Sequence, residues 1–151
     1  MKLCNDTITV FNARVDQQTH SNVWTPTVIT GASWYMTDAS TIDASKGGMI
    51  AANKATIRIP TDANTGGKTY ADPVTYKAAA DVSTLWTLQN GDIIVKASVP
   101  SSTTVNGVTT TTPVAWTPSA LKKAYADCVT VLGTTDNRRA PNAPHWRITG
   151  T

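Results

Sequence analysis

Glutamate is absent from the sequence, and leucine occurs only five times in 151 residues. Both residue types favour helices, because their side chains lose little rotamer freedom there. Threonine, valine and isoleucine are abundant instead, with 27, 13 and 9 copies, and β-branched side chains pack well on a pleated sheet. The composition therefore predicts a mainly β protein.

Charge and cysteine are also scarce. Charged residues make up 15% of the chain and the net charge is +3, well short of the clustered excess that marks a dedicated nucleic-acid binder. Cys4 and Cys128 are too few and too far apart for a disulfide framework or a metal-binding pair. We expect two thiols, with a single Cys4–Cys128 bridge as the alternative.

Long apolar runs are missing as well. No window approaches the roughly 20 apolar residues of a membrane-spanning helix, and residues 1–6 lack the apolar core of a secretion signal. We therefore expect no membrane contact and a protein made and kept in a cytoplasm. The length fits one domain over residues 1–151. Its few charges predict a surface of Thr, Ser, Asn and Ala, which suits packing against neighbours.

Alternation of polar and apolar residues predicts the strands of a small β-barrel or sandwich. In residues 7–11 this alternation places Ile8 and Val10 on one buried face. Pro26 cannot donate to a strand ladder and predicts a sheet edge or a bulge. The other predicted strands are residues 23–29, 33–36, 54–60, 129–133 and 145–148.

Two Asn-Gly pairs predict hairpins, because this dipeptide supplies the positive φ angles of tight turns. Asn90-Gly91 is predicted to join strands at 85–88 and 92–96. The second pair lies in residues 101–112, a Thr-rich stretch with almost no bulky apolar residue. We expect a protruding, polar β-arm there, marginal alone and stabilised by pairing with something else. Its candidate interface residues are Val105, Asn106 and Gly107.

Helical signals are few. Residues 119–127 follow Pro118 and place Leu121, Ala124 and Tyr125 on one face, which predicts one short helix near the C-terminus. Residues 74–81 could form a single helical turn or a loop.

Residues 37–53 show no sustained period of either kind and are rich in Ala, Ser, Asp and Gly. They predict a long loop between the second and third strands. Loops of more than about 12 to 15 residues inside a compact domain tend to be functional or disordered, so this segment is a candidate functional region.

Catalytic, cofactor and metal motifs are not found. Gly66-Gly67-Lys68-Thr69 imitates the end of a phosphate-binding loop, but Asp62 stands where that loop needs glycine. We interpret the segment as a turn with a solvated lysine. His20 and His145 have no Cys/His cluster around them, so a zinc site is not expected. We expect a protein that is not an enzyme.

The segment 136–147 gathers three Arg, one His and one Trp in twelve residues. Arg and Trp are enriched at the energetic centres of protein interfaces. The segment therefore predicts a subunit or partner interface, with an ordinary solvated loop as the alternative. The candidate interface residues are Arg138, Arg139, His145, Trp146 and Arg147.

An ordered series of segments resembles tailed-bacteriophage head-completion proteins of the stopper type, often labelled minor capsid proteins. The segments are residues 6–12, 24–35, 56–60 and 91–96. The ending at residues 135–146 is similar to that of prophage structural proteins encoded among head–tail genes. This resemblance covers most of the chain, although none of its pieces is a chemical motif.

The resemblance implies a small β-barrel that forms a ring of 6 or 12 copies in the virion neck, below the portal and its adaptor. Such a ring closes the DNA channel, docks the tail and is assembled in the host bacterial cytoplasm. In these proteins the loop between the second and third strands is the channel plug, with non-specific contact to packaged double-stranded DNA. The corresponding residues here are Ser40, Asp43, Ser45, Lys46, Gly47 and Gly48.

Two alternatives remain open. The β-arm over residues 101–112 is longer than a compact stopper needs, which is compatible with a tail terminator or another neck or tail ring protein. A monomeric β-sandwich that binds carbohydrate is the alternative from a different class, with exposed Trp24, Trp34 or Trp146 stacking on a sugar.

Overall fold

The computed structural model describes residues 3–37, 40–43, 48–51, 53–99, 102–105, 108–113 and 116–151. The described residues form strands β1 to β12 and helices α1 and α2. Their bounds in chain order are β1 Asp6–Val15, β2 Asn22–Thr37, β3 Ser40–Asp43, β4 Gly48–Ala51, β5 Lys54–Pro60, β6 Thr69–Tyr70, α1 Pro73–Ala78, β7 Leu85–Trp86, β8 Ile93–Val95, β9 Ser102–Val105, β10 Val108–Pro113, α2 Pro118–Ala124, β11 Cys128–Asn137 and β12 His145–Gly150.

Six strands close into a barrel in the order β1-β2-β5-β12-β11-β8, and every neighbouring pair is antiparallel. This confirms the predicted small, mainly β fold. The predicted alternation holds in β5, where Ile57 and Ile59 are buried while Arg58 between them faces outward. Because the barrel is closed, each of its six strands pairs with a neighbour on both sides over at least part of its length.

The first strand is buried on both faces, which its alternating pattern did not predict. Ile8 and Val10 point into the barrel as expected, but Phe11 is also fully buried. Phe11 packs in a second core outside the barrel, which also includes Ile93 and Leu121 of α2. Helix α2 therefore covers the outer face of β1 and β8.

Two short helices are present in the described residues, one more than predicted. Asp72 caps α1 by accepting hydrogen bonds from the backbone N–H groups of Val74 and Thr75, so the helical alternative for this segment is confirmed. Thr117 caps α2 in the same way, and Pro118 occupies its first position. Tyr125 is already extended, so α2 ends three residues before its predicted end.

The hairpin predicted at Asn90-Gly91 is wrong. A tight turn exists there, with Gly91 at φ 93° and the Asp92 N–H donating to the Gln89 carbonyl at 3.2 Å. The flanking strands nevertheless belong to different sheets, since β7 pairs with β6 and β8 pairs with β1 and β11. Burial of Trp86 in the barrel core separates the two strands.

The long loop predicted over residues 37–53 is also wrong, because residues 40–43 and 48–51 of this stretch pair as a two-stranded β-ribbon. Strand β2 continues to Thr37, and β3 then pairs with β4 through Ser40 opposite Ala51 and Asp43 opposite Gly48. The β-arm prediction is confirmed at the level of pairing, since β9 and β10 form a second two-stranded ribbon. Apolar alternation could not predict the β3–β4 ribbon, because its strands, Ser-Thr-Ile-Asp and Gly-Met-Ile-Ala, do not alternate between polar and apolar residues.

Candidate functional site

Both ribbons are inserted at the same end of the barrel. Strands β1, β5 and β11 begin at this end, and β2, β8 and β12 finish there, because neighbours in the barrel are antiparallel. The β3–β4 ribbon connects β2 to β5, and the β9–β10 ribbon lies in the connection from β8 to β11. We call this the ribbon end, and the opposite end the aromatic end.

Three of the six predicted plug residues belong to the β3–β4 ribbon. Ser40 and Asp43 lie on β3, and Gly48 is the first residue of β4. The other three candidates, Ser45, Lys46 and Gly47, lie outside the described residues. Thr37 and Lys54 are directly paired between β2 and β5, so the whole insertion begins and ends on one rung of the barrel ladder.

The candidate arm residues are only partly described. Val105 ends β9 and is the pairing partner of Val108 at the start of β10. Asn106 and Gly107 lie between these strands, outside the described residues. The pairing of their neighbours is that of a short hairpin, as the Asn-Gly pair predicts.

Arg138 closes the aromatic end instead of pointing toward a partner. Its guanidinium carbon lies 5.1 Å from the ring centroid of Tyr70 and 5.3 Å from that of Trp146. The same guanidinium binds both carboxylate oxygens of Asp136, with Nη2 at 2.6 Å from Oδ2. The hydrogen bonds from Arg138 lower the pKa of Asp136 to about 2.

Beneath Arg138 lies a trio of aromatic rings. The centroid distances are 4.8 Å between Tyr70 and Trp146, 5.1 Å between Tyr70 and Trp86, and 5.2 Å between Trp86 and Trp146. Burial is the main cause that raises the pKa of Tyr70. Edge-on and tilted arrangements are the favourable ones for pairs of aromatic rings, and a cation over a ring is also attracted to it. The trio and the Arg138 guanidinium above it fill this end of the barrel.

The prediction that Trp146 is an interface residue is wrong. Its side chain is only 7% exposed and packs in the barrel core, where the alternation of β12 turns it inward. Of the tryptophans named for the sugar-binding alternative, Trp146 is buried, whereas Trp34 and Trp24 are half-buried against the inner and outer cores.

Of the remaining Arg and His candidates, His145 and Arg147 share the outer face of β12, and Arg139 follows the end of β11. Arg139 is exposed beside Arg138. His145 Nδ1 lies 2.8 Å from the Ala143 carbonyl, and its Nε2 lies 3.4 Å from the Asn137 amide. Arg147 lies on the outer face of β12, turned away from Trp146. The segment therefore divides between the aromatic end, where Arg138 lies over Trp146, and the outer face of β12, where His145 and Arg147 lie.

A buried polar network was not predicted. Asp92 is fully buried and accepts hydrogen bonds from Asn12 Nδ2 at 2.7 Å, Gln89 N at 3.0 Å and Ala13 N at 3.1 Å. Burial raises the pKa of Asp92 to about 6, against the effect of these donors. Asn12 also bonds the backbone of Thr87. The network ties β1 to the segment between β7 and β8. The feature of the sequence that could have indicated it is an acidic residue, Asp92, directly before the apolar residues 93–95.

Two open cavities of about 270 and 370 Å³ flank Arg14 at the aromatic end. The Arg14 guanidinium donates a hydrogen bond to the Ala79 carbonyl. The larger cavity also has Lys77 and several amide side chains on its walls, whereas Val15, Val23 and Val82 make the smaller one more apolar. Neither cavity contains a candidate residue from the sequence.

Lys68 of the glycine-rich turn is not solvated as predicted. Its Nζ donates to the Pro26 carbonyl at 2.8 Å and to Thr27 Oγ1 at 3.1 Å, and burial lowers its pKa. Pro26 itself lies within one continuous strand, which β5 joins only from Ser33 onward. The lysine thus bonds the exposed edge of β2 that the proline predicted.

Within the described ranges, no group of three or more His, Cys, Asp or Glu side chains is arranged to hold a metal ion. A search of the same part of the chain also finds no helix long and apolar enough to cross a membrane.

The fold and its ends define a small closed antiparallel β-barrel protein that carries two β-ribbons at one end. Residues 3–151 match the sequence model described as "Family of unknown function (DUF6751)", so the chain belongs to the DUF6751 family. No curated protein and no solved structure shows a significant match.

Proposed function

We propose that this protein is a non-enzymatic structural subunit of the head–tail connector of a tailed bacteriophage. In the virion neck, 6 or 12 copies form a ring below the portal and its adaptor. The ring closes the DNA channel and offers the docking surface for the tail. The resemblance of the ordered strand segments to stopper proteins supports this role.

The observation that carries the proposal is the pair of ribbons at one end of a closed barrel. The barrel closes with its own strands, each paired on both sides over at least part of its length. Each ribbon, in contrast, is a separate two-stranded sheet among the described residues. Two-stranded sheets are marginal alone and gain stability by adding strands.

The ribbon strands also lack the usual protection against edge pairing. Natural edge strands are commonly guarded by charges, especially lysine. Of the four ribbon strands, only β3 contains a charged residue, Asp43, and β10 is a run of Val and Thr that ends in Pro113. We assign β9–β10 to contacts with the next subunit and β3–β4 to the channel plug.

A tail terminator is the second candidate function. The length of the β9–β10 ribbon favours it, because a compact stopper needs no arm of that size. A ring that binds the tail tube but does not bind a portal–adaptor complex identifies this role.

The two ribbons provide matched variants for a test. Because Thr37 and Lys54 form a direct pair, replacing residues 38–53 with Asn-Gly gives a two-residue turn that preserves the barrel. Replacing residues 101–115 with a short Gly-Ser linker removes the arm. The mass of each protein is measured by light scattering, alone and with a portal–adaptor complex.

We expect the full chain to form rings, the arm-shortened chain to be a monomer of about the 16.0 kDa chain mass, and the plug-shortened chain to keep its ring. Particles assembled with the plug-shortened chain should lose packaged DNA. A full chain that stays monomeric and never joins the portal–adaptor complex contradicts the connector role. DNA retention by plug-shortened particles contradicts the plug assignment alone.

A further inference from the structure

The outer face of four consecutive barrel strands, β2, β5, β12 and β11, is basic. Side chains that alternate with the buried ones point outward, and the register of the ladders aligns them in rows. We call these twelve positions the basic face. They are Ser33, Tyr35, Thr37, Lys54, Thr56, Arg58, Gly133, Thr135, Asn137, His145, Arg147 and Thr149.

The centre of the basic face is a pair of like charges. Arg58 and Arg147 are direct partners in the β5–β12 ladder, where Cα atoms lie about 4.5 to 5.5 Å apart. Like charges placed opposite each other in this way destabilise a sheet. The pair is thus a cost to the free protein that a bound anion would remove.

Among the described residues, no carboxylate neutralises this pair. None of the twelve positions is acidic, and in the described residues no carboxylate lies within ion-pair distance of Arg58 or Arg147. Asp6 reaches the neighbourhood of β2, but it accepts a hydrogen bond from the Trp34 N–H and pairs with Lys96 at 3.6 Å.

The rows around the arginines contain the other groups that bind phosphate oxygens. Hydroxyls flank the pair, with Ser33 beside Arg58 and Thr135 beside Arg147. Lys54 lies four residues before Arg58 on the same face, about 13 Å away along an extended strand. Arg, Lys, Ser, Thr and Tyr side chains make most phosphate contacts in protein–DNA complexes.

We propose that the basic face binds the phosphate backbone of double-stranded DNA without reading its sequence. Single-stranded nucleic acid is a poorer fit, because proteins that bind it combine cations with several aromatic platforms for unstacked bases. The basic face has a single strongly exposed aromatic ring, that of Tyr35 at 65%. DNA binding here is a property of the isolated chain and does not require the ring of the proposed function.

Fluorescence anisotropy tests the proposal with the full chain, a labelled 20-base-pair duplex and a single strand of the same length, at several salt concentrations. The variants are Arg58→Ala, Arg147→Ala and the double variant. Arg139→Ala and Lys123→Ala are the matched controls, because each removes one exposed positive charge elsewhere. Thermal unfolding checks the fold, which loss of one member of a like-charged pair should not weaken.

We expect each arginine variant to lower the slope of log affinity against log salt by about 1, and the double variant to lose about tenfold in affinity at low salt. The two controls should bind like the unaltered chain. Equal losses in the controls, stronger binding to the single strand, or no binding to the duplex overturns the proposal. It is also overturned if light scattering shows that the arginine variants abolish self-association and leave DNA binding intact, since the face then receives a second copy.

Discussion

Asn12 and Asp92 are 80 residues apart in the sequence, and the Asn12 amide donates a 2.7 Å hydrogen bond to the Asp92 carboxylate in the interior. Asn12 also donates to the Thr87 carbonyl and accepts from the Thr87 N–H. The Asn12 side chain therefore satisfies three buried groups: the Thr87 carbonyl, the Thr87 N–H and the Asp92 carboxylate. These groups belong to a segment that does not pair with β1 at Asn12. This contact fixes the connection between β7 and β8 against β1 at the aromatic end.

Replacing Asn12 with Ala should destabilise the protein by about 3 kcal/mol. The variant leaves the Thr87 backbone groups buried without their partner, and each unsatisfied buried group costs about 1 to 3 kcal/mol. Urea unfolding measures the change. Thr19→Ala is the control, because Thr19 bonds only the exposed Ser21 hydroxyl, and it should change stability by less than about 0.5 kcal/mol.

Asp92 should make stability depend on pH between about 4 and 6. Its folded pKa of about 6 lies above the ordinary value of 3.8, so the folded state binds the proton more tightly. The contribution of Asp92 to the free energy of unfolding is fully present below pH 4 and is lost as pH rises through 6. The unfolding free energy changes by about 3 kcal/mol across this range. Asp136 has a lowered pKa of about 2, so the stability that it contributes is lost as pH falls toward 2, outside this window.

The difference between the unaltered chain and Asp92→Asn isolates this effect, since the neutral amide cannot titrate. Unfolding free energies measured from pH 4 to pH 7 should show the Asp92-dependent decline only in the unaltered chain. Parallel pH profiles for the two proteins would show that Asp92 titrates normally.

Two glycines on neighbouring strands should respond oppositely to alanine. A Cβ at Gly150 would lie 2.9 Å from Val129 Cγ2 and 3.0 Å from the Thr130 carbonyl oxygen, and a backbone oxygen cannot easily move away. Gly150→Ala should cost about 1 to 3 kcal/mol. A Cβ at Gly133 meets nothing within 4 Å, so Gly133→Ala should be neutral or stabilise by up to about 1 kcal/mol. Thermal unfolding compares the two.

Arg138→Ala should raise the pKa of Asp136 from about 2 toward its ordinary range, because the guanidinium hydrogen bonds cause the shift. NMR titration of the carboxyl groups measures it. Stability should fall by no more than about 1 kcal/mol, since the ion pair is exposed and the ring contacts are few. Lys123→Ala is the control, because this exposed lysine is not among the groups that shift the Asp136 pKa, and an unchanged Asp136 pKa in Arg138→Ala contradicts this account.

Local alternation predicted the parts of the fold that depend on nearest neighbours. Ile57 and Ile59 around Arg58 predicted both β5 and its two faces, and Pro118 before an amphipathic run predicted α2. Pairing partners depend on the whole barrel, so Asn90-Gly91 predicted a turn correctly but placed the wrong strands beside each other. Phe11 is buried because α2 packs over the outer face of β1 as a second layer. The sequence pattern within β1 carries no information about that helix.

The candidate site was predictable only in part for the same reason. The Thr-rich composition of residues 101–112 predicted the arm, whereas Arg138, Trp146 and Arg147 were grouped because they are close in sequence. Alternation along β12 sends Trp146 inward and Arg147 outward, and Arg147 then meets Arg58 from a strand 89 positions earlier in the sequence. Sequence proximity therefore grouped Arg138 and Trp146 correctly, whereas strand register places Arg147 beside Arg58 on the opposite face of β12 from Trp146.

The most direct test of the connector role is to locate the chain in phage particles. Under the proposed connector role, electron microscopy of phage particles assembled with a density-labelled copy of the chain should show the label as a ring at the neck. Heads assembled without the chain should carry no tails and should lose their DNA. Purified, infectious particles that contain no copy of the chain, or that carry it only away from the neck, would contradict the account.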